Sequence, residues 1–285
     1  MLLGIGLIIC IGACLAGFVM SGGALMTLVH AGEILIICGV ALGIIVISSP
    51  AAVLKSIVND FIVAFKGSGG RKQRFIELLQ LLYEVFLVGR RKGLIAMDEH
   101  VNDPKSSSIF SKYKTFLADQ DQVEFLCNAL RPLIDGKIKP DQLESVLATE
   151  LKAKTAQADR SVKALDLVAD SLPGVGIVAA VLGIINTMSA LEDPQTVGKK
   201  VAAALSGTFL GIFLSYGFFN PLARLVKLNQ EAEFLYYHII EKSVSSFAKG
   251  LAPIMAVEIG RRALDKSIQP TADELEELLK NTKSN

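Results

Sequence analysis

The stretch DSLPGVGIVAAVLGIINTMSAL, residues 170–191, decides the fold. An acid, Asp170, and a proline, Pro173, lead into an apolar run with glycines, alanines and one threonine but no charged residue. About 20 such residues are needed for an α-helix to cross the roughly 30 Å hydrocarbon core of a bilayer. The run therefore predicts a transmembrane helix, and its small residues indicate close contact with another helix.

Three other segments are apolar over a similar length, namely residues 2–20, 34–54 and 201–223. With 51% hydrophobic residues and a mean hydropathy of +0.47, the chain is too apolar for an ordinary soluble domain. A cleaved signal peptide is disfavoured for the first segment because no Lys or Arg precedes it and a second apolar segment follows almost at once. The sequence therefore predicts an all-α membrane protein with four transmembrane helices.

The positions of the basic residues predict how the chain is oriented. Of the 29 Lys and Arg residues, 18 lie in residues 51–171 and 9 lie in 223–285. Basic residues concentrate on the cytoplasmic side of a membrane. We therefore expect a multi-pass protein of the inner membrane with both termini in the cytoplasm.

The same reasoning predicts four regions along the chain. They are a membrane region (1–54, with spans 2–20 and 34–54), a large cytoplasmic helical domain (55–171), a second membrane region (172–223, with spans 172–191 and 201–223) and a cytoplasmic C-terminal helical region (224–285).

Helical patterns fill the predicted cytoplasmic parts. Residues 71–92 place apolar residues at spacings of three and four, and Gly93 is a suitable terminator. From Pro140 no Gly or Pro interrupts the chain before Pro173, which predicts one long helix that continues to the membrane. The tail from Thr271 is predicted to form a short mobile helix.

Known catalytic and ligand-binding patterns do not appear in the sequence. The segment KGSGGRKQ, residues 66–73, lacks the spacing of a phosphate-binding loop and reads as a flexible linker. The three histidines and four cysteines show no metal-ligand spacing, and the net charge of +1 does not suggest a nucleic-acid partner. We therefore expect no enzyme activity, no cofactor, no metal and no nucleic-acid binding.

Small residues form one stripe on each of the last two apolar segments. The members are Pro173, Gly176, Ala180, Gly183 and Thr187 on one segment, and Ala204, Gly207, Thr208, Gly211 and Ser215 on the other. Such stripes let helix backbones approach closely in lipid. Two interpretations remain open: packing within the chain, or a seam that Gly176 and Gly211 line for a separate transmembrane partner along an ion path.

Two prolines, and the lack of ionisable residues, bear on how the predicted spans could move and conduct protons. Pro173 and Pro221 lie at the predicted cytoplasmic ends of their spans, where each acts as a hinge or marks a simple bend. No Asp, Glu, Lys, Arg or His lies inside any of the four predicted spans. Because such residues mark proton relays, a proton path through this chain needs a titrating group from another protein.

The segments DSLPGVGIVAAVLGIINTM (170–188) and GTFLGIFLSYGFFNPLA (207–223) resemble the MotA family, the larger stator subunit of the bacterial flagellar motor. So do RRKGLIAMDEHVNDP (90–104) and PIMAVEIGRRAL (253–264). The resemblance implies a pentameric homo-oligomer in membrane lipid, around a MotB-like partner. That partner has a single span, is anchored to peptidoglycan and supplies the proton-accepting aspartate. A FliG-like switch-complex protein of the rotor is the second implied partner.

The resemblance also assigns roles to single residues. Pro173 and Pro221 match the prolines that couple ion passage to movement, and Ala180 and Thr208 match pore-facing positions. Protons are favoured over sodium because Ala180 and its neighbours offer no oxygen ligands for a hard cation.

Three charged residues are assigned to the rotor contact. Arg90 matches the basic residue that meets the rotor, and either Asp98 or Glu99 matches the acidic one; a solvated helix end is the alternative reading of these residues. An ExbB- or TolQ-like energiser is the alternative function, although such proteins typically have three spans.

Overall fold

The computed structural model describes residues 2–66, 71–188 and 194–282. Within these ranges the chain is helical and contains no β-strand, which confirms the predicted all-α class. The α-helices are α1 (Leu2–Met20), α2 (Ala31–Ser48), α3 (Ala51–Lys66), α4 (Arg71–Lys92), α5 (Asp98–Asn102), α6 (Lys114–Leu117), α7 (Gln120–Ile134), α8 (Pro140–Thr187), α9 (Pro194–Leu214), α10 (Asn220–Ala248), α11 (Pro253–Arg262) and α12 (Ala272–Thr282).

Four helical segments are long and apolar enough to cross a membrane. They are Leu3–Met20, Leu25–Ser48, Pro140–Thr187 and Pro194–Ala248. Their number and order confirm the four predicted spans, with the large insert between the second and the third.

The second span differs from the prediction at both ends. Helix α2 ends at Ser48, and Ser49 is extended (φ −130°, ψ 127°) because the ring of Pro50 disfavours helical geometry in the residue before it. Residues 51–54, which were predicted to belong to this span, start the separate helix α3. At the other end α2 begins at Ala31, so Glu33 lies inside the helix. The same helix therefore carries both Glu33, in its first turn, and the apolar run.

Helix α8 is a single helix of 48 residues that passes through Pro173 without a break. This confirms the predicted continuous helix from Pro140 to the membrane segment. The last residues of the predicted span, 189–191, and residues 67–70 of the predicted linker lie outside the described residues.

The fourth span contains a π turn, Ser215–Phe219, between α9 and α10. The N–H of Asn220 donates to the carbonyl of Ser215, five residues back. Pro221 explains the wider turn, since it has no N–H to give to the carbonyl four residues earlier and its ring clashes with that carbonyl in a regular helix. The sequence predicted an irregularity at Pro221 but not its form.

The first of two compact units comprises Met1–Ser68 and Gln157–Gln230. Its core has two clusters, one joining α3 to α8 and α10 through Ile57, Leu165 and Leu222, and one joining α2 to α8 through Ile37 and Leu172. Residues 55–66 and 157–171 also belong to this unit.

The second unit comprises Gly69–Ala156 and Glu231–Asn285. Its core joins α4 to the C-terminal part of the chain, as shown by Phe86 stacked on Phe247 with ring centroids 4.4 Å apart. Leu275 and Leu279 of α12 are buried in the same core, so the tail helix is packed rather than mobile. The C-terminal region therefore shares its core with α4.

Candidate functional site

Helices α8 and α9 cross at two glycines. A Cβ atom on Gly211 would lie 2.7 Å from the carbonyl oxygen of Leu172 and 2.8 Å from the Cα of Gly176. A Cβ atom on Gly176 would lie 3.0 Å from the carbonyl oxygen of Gly207. Backbone contact this close requires glycine on both helices. Of the two interpretations left open, packing within the chain accounts for Gly176 and Gly211, whose surfaces are used in this crossing.

Ala180 and Thr208, the other two residues expected along an ion path, lie beside the crossing. Ala180 is buried at 9% exposure, and Thr208 is half-buried with its Cα in the contact with Gly176. The remaining faces of both helices are apolar and exposed within the chain; they include Ile177, Val181 and Ile184 on α8, and Leu205, Phe209 and Ile212 on α9. These faces are available to lipid or to other transmembrane helices.

Pro173 lies within α8 next to the crossing. It has no N–H, so the carbonyl of Ala169 has no helical donor at this point. The preceding carbonyl, that of Leu172, faces Gly211 of α9. The proline therefore weakens the helix where α8 contacts α9 most closely, whereas Pro221 is exposed beside the π turn.

A polar cluster near the start of α2 was missed in the sequence. His30 Nδ1 lies 3.1 Å from Ser206 Oγ, and the Cγ of Glu33 would lie 3.1 Å from a Cβ atom on Gly207. The signal was present, because Glu33 lies only one residue before the predicted start of the span at 34. The structure includes it because α2 begins at Ala31, three residues before the predicted start of the span.

The three charged residues expected at the rotor contact lie around one corner of the second unit. Met97 of the 3₁₀ turn Leu94–Met97 is fully buried against Gly89 of α4. This contact holds the turn against the end of α4, between Arg90 at one side and Asp98 and Glu99 at the other.

The charges at this corner are free for a partner. Arg90 and Glu99 are exposed and Asp98 is half-buried. None of the ion pairs in the described ranges involves any of the three. Ile95, which the sequence analysis did not select, is 80% exposed on the turn between them.

The buried thiol in this unit is not a nucleophile. Burial raises the pKa of Cys127 to about 11, so the thiol remains protonated at neutral pH. Among the described residues no three His, Cys, Asp or Glu side chains are arranged to hold a metal ion.

Comparison with known proteins gives two family matches and several close relatives. Residues 4–93 match the motility protein A N-terminal family, and residues 118–238 match the MotA/TolQ/ExbB proton channel family. The chain is 33% identical to motility protein A of Salmonella typhimurium over 278 residues, which cover 97% of this chain and 94% of that protein.

Two solved structures share the fold. A MotAB structure from C. jejuni aligns with a TM-score of 0.75 at 22% identity, covering 92% of this chain and 94% of that one. The flagellar MotAB stator complex from Bacillus subtilis aligns with a TM-score of 0.72 at 24% identity, covering 96% and 97%.

Proposed function

This chain belongs to the motility protein A family, within the MotA/TolQ/ExbB proton channel family, and on that premise we propose how its helices use a proton gradient to turn a rotor. It is a stator subunit of the bacterial flagellar motor and a multi-pass protein of the inner membrane, with both termini in the cytoplasm. Its work is transport and force generation rather than catalysis of a covalent reaction.

The observation that carries the proposal is the α8–α9 crossing beside Pro173. Helix α8 runs without a break from residues 140–169 into the apolar run. A change in its bend at Pro173 therefore moves residues 140–169 relative to the apolar part of the same helix. The crossing at Gly176 and Gly211 links this bend to α9. Proton passage beside the crossing thereby acts on the cytoplasmic part of the same helix.

The proton-accepting group comes from a MotB-like partner with one transmembrane helix and a peptidoglycan anchor. The exposed apolar faces of α8 and α9 provide surfaces for that helix and for neighbouring copies in a pentameric ring. Ala180 and Thr208 border the path, and protons rather than sodium ions use it because few oxygen ligands are offered there.

The rotor contact uses the corner formed by Arg90, Asp98 and Glu99. Their charges are unpaired within the described ranges, and Ile95 adds an apolar centre. Opposite charges on a FliG-like rotor protein would be steered to this corner over a range set by the salt concentration.

An energiser of outer-membrane transport, as in ExbB- or TolQ-like proteins, is disfavoured. The motility protein A N-terminal match includes α1, which is the additional span relative to the three that such energisers typically have.

Proton flux in vesicles tests the proposal. We expect vesicles with this chain alone to be tight to protons, vesicles with the chain and its partner to conduct, and an Asp→Asn change in the partner's membrane helix to stop conduction. In cells, deleting the gene should leave flagella that do not rotate. Equal proton flux with and without the partner would overturn the proposal.

A further inference from the structure

Three polar side chains join α3, α8 and α10 within the first unit. On α3, Asp60 Oδ2 accepts from Ser161 Oγ of α8 at 2.6 Å and from Gln230 Nε2 of α10 at 3.3 Å. The Gln230 nitrogen also lies 3.0 Å from Ser161 Oγ and 3.3 Å from the carbonyl oxygen of Ala158. One carboxyl oxygen is therefore shared by donors from two different helices. We call Asp60, Ser161 and Gln230 the Asp60 clamp.

The bond from Ser161 to Asp60 is the shortest of the clamp. Ser161 Oγ also lies 3.0 Å from the carbonyl of Ala158, in the preceding turn of α8. A hydroxyl has one proton to donate, and a distance of 2.6 Å is typical of donation to a carboxylate. Ser161 therefore bonds Asp60 on another helix in preference to its own backbone.

The clamp is set among apolar side chains. Ser161 is 1% exposed, and the cluster that joins the same three helices includes Leu165 and Val226. Burial raises the pKa of the Asp60 carboxyl, although its side-chain hydrogen bonds act in the opposite direction. Apolar contacts have no preferred direction, whereas hydrogen bonds are restricted in both distance and angle. The clamp therefore fixes how α8 and α10 are aligned along their lengths, which the apolar contacts leave open.

The clamp lies at a comparable distance from both hinge prolines. Ser161 precedes Pro173 by twelve residues and Gln230 follows Pro221 by nine, which correspond to about 18 Å and 14 Å of helix. On these two helices the first unit ends at Gln157 and Gln230, and both helices continue into the second unit. A displacement of α8 that starts at Pro173 therefore reaches the clamp before it reaches the second unit.

Helix α3 connects the clamp to a third part of the membrane region. Only Ser49 and Pro50 separate α3 from α2, the helix of the second span. Val53 and Ile57 of α3 are buried in the cluster that surrounds the clamp. Asp60 is therefore held by its own helix, and it aligns α8 and α10 against that helix.

We propose that Asp60 is a positioning residue of the motor: through Ser161 and Gln230 it locks α8 to α10, so that a bend at Pro173 moves both helices together. Without the clamp, α8 slides along α10 and the first unit absorbs the bend. Because Asp60 belongs to α3, outside the four membrane-spanning segments, the proton path does not include it. Loss of the clamp thus separates proton flux from torque. This inference rests on the proposed function, since it assumes that the bend at Pro173 generates force.

Two measurements on each variant test this role. Torque is obtained from the rotation of tethered cells that lack the native gene, and proton flux from vesicles with the purified complex of this chain and its single-span partner. We expect Gln230→Leu to lower torque several-fold at equal membrane abundance, because the donor from α10 is lost while the side-chain volume is kept. Its proton flux should remain that of the wild type. A defect that merely disturbed assembly would lower flux and torque together.

The conservative variant and the control separate hydrogen bonding from packing. Gln230→Lys keeps a donor that reaches Asp60, so it should retain most of the torque. Gln157→Leu makes the same change as Gln230→Leu at an exposed position on α8, one turn before Ser161, and should behave like the wild type. If Gln230→Leu does not assemble, Ser161→Ala decides, because it removes the shortest bond of the clamp and should likewise lower torque at unchanged flux.

Wild-type torque in Gln230→Leu, or in Ser161→Ala where that variant decides, would overturn the clamp. Equal losses of torque in Gln230→Leu and Gln230→Lys would overturn it too, as would a flux that falls in proportion to the torque. A wild-type complex that does not conduct protons would overturn the proposed function, and the role of Asp60 with it.

Discussion

At the scale of single residues, the α8–α9 crossing depends on which glycines lie between the helices. Gly174, Gly176 and Gly211 all belong to apolar helices and look alike in the sequence. A Cβ atom would collide with backbone at Gly211 and press on backbone at Gly176, whereas nothing lies within 4 Å of a Cβ atom at Gly174. The crossing therefore distinguishes glycines that a composition argument treats as equivalent.

Gly211→Ala should destabilise the protein, because its new methyl group would lie 2.7 Å from the Leu172 carbonyl, which cannot rotate away. We expect a loss of about 1–3 kcal/mol, as for other overpacked sites. Gly174→Ala adds the same methyl group in open space and should be neutral or slightly stabilising. Thermal unfolding of the chain purified in detergent measures both. An unfolding midpoint for Gly211→Ala at or above that of Gly174→Ala would contradict the close crossing.

Glu258 gives the second unit a defined dependence on pH. Both carboxyl oxygens accept from Arg261, each at 2.7 Å, and one also accepts from Arg262 at 2.8 Å. These bonds, chiefly those from Arg261, lower the pKa of Glu258 to about 2. A lowered folded-state pKa stabilises the protein above the ordinary carboxyl range, and this stabilisation is lost as the pH falls towards 2.

We expect this group to contribute on the order of 2–3 kcal/mol at neutral pH. In Glu258→Gln, unfolding free energy should be lower at pH 7 and should fall less between pH 5 and pH 3 than in the wild type. Denaturant unfolding at several pH values makes the comparison. Glu276→Gln removes an exposed carboxylate paired with Lys280 and should keep the wild-type profile. Parallel profiles for Glu258→Gln and the wild type would refute the assignment.

At the scale of helices, the sequence predicts elements well where a single physical signal dominates. The four apolar runs were predictable from their length and hydropathy. The long helix from Pro140 was predictable because no Gly or Pro interrupts the chain before Pro173. The end of α2 was not, because hydropathy continues past Ser48 while Pro50 acts on Ser49 through backbone sterics. Which helix face contacts which depends on tertiary packing, so the role of the small-residue stripes stayed open.

Pro173→Ala should separate helix stability from motor function. The change restores a donor for the Ala169 carbonyl and removes a steric clash, so it should raise the free energy of unfolding by up to about 3 kcal/mol. A stiffer α8 should nevertheless reduce swimming, since the bend beside the crossing is lost. Swimming speed in soft agar and membrane abundance are measured in a strain that lacks the native gene.

Pro132→Ala is the matched control, because Pro132 also lies inside a helix, α7, but in the core-forming second unit. It should gain helix stability and leave swimming unchanged. Wild-type swimming in Pro173→Ala, or an equal loss in both variants, would remove the special role of Pro173.

At the scale of the whole molecule, the chain builds two cores from interleaved segments. The second core combines residues 69–156 with 231–285, which are separated in sequence by two transmembrane helices. The helices of each part were predictable from local patterns, but contacts such as Phe125 against Tyr237, at 5.1 Å between ring centroids, join segments more than a hundred residues apart. Local patterns carry no information on such pairings, so the sequence alone could not predict which segments share a core.

The second unit should fold by itself when residues 69–156 are joined directly to 231–285. A short Gly/Ser linker can make the connection, because the chain near residue 156 and the chain near residue 231 lie close together. Gln230 donates to the carbonyl of Ala158 over 3.3 Å, and Lys154 lies over the ring of Tyr237. We expect a soluble helical domain with one cooperative thermal transition at about 45–65 °C. Circular dichroism during heating provides the measurement. Phe86→Asp in the same protein, which places a charge in the core, should abolish the transition.

This soluble domain permits a direct test of the corner formed by Arg90, Asp98 and Glu99. Binding to a FliG-like rotor protein should weaken as salt rises from 0.05 to 0.5 M, roughly, because screening shortens the reach of exposed charges. Arg90→Glu should weaken binding several-fold, in line with about 1 kcal/mol for an exposed pair. Lys152→Glu makes the same charge change at an exposed position on α8 and should bind normally. If both variants bind alike, the rotor does not recognise this corner, and Arg90 is a solvated helix end.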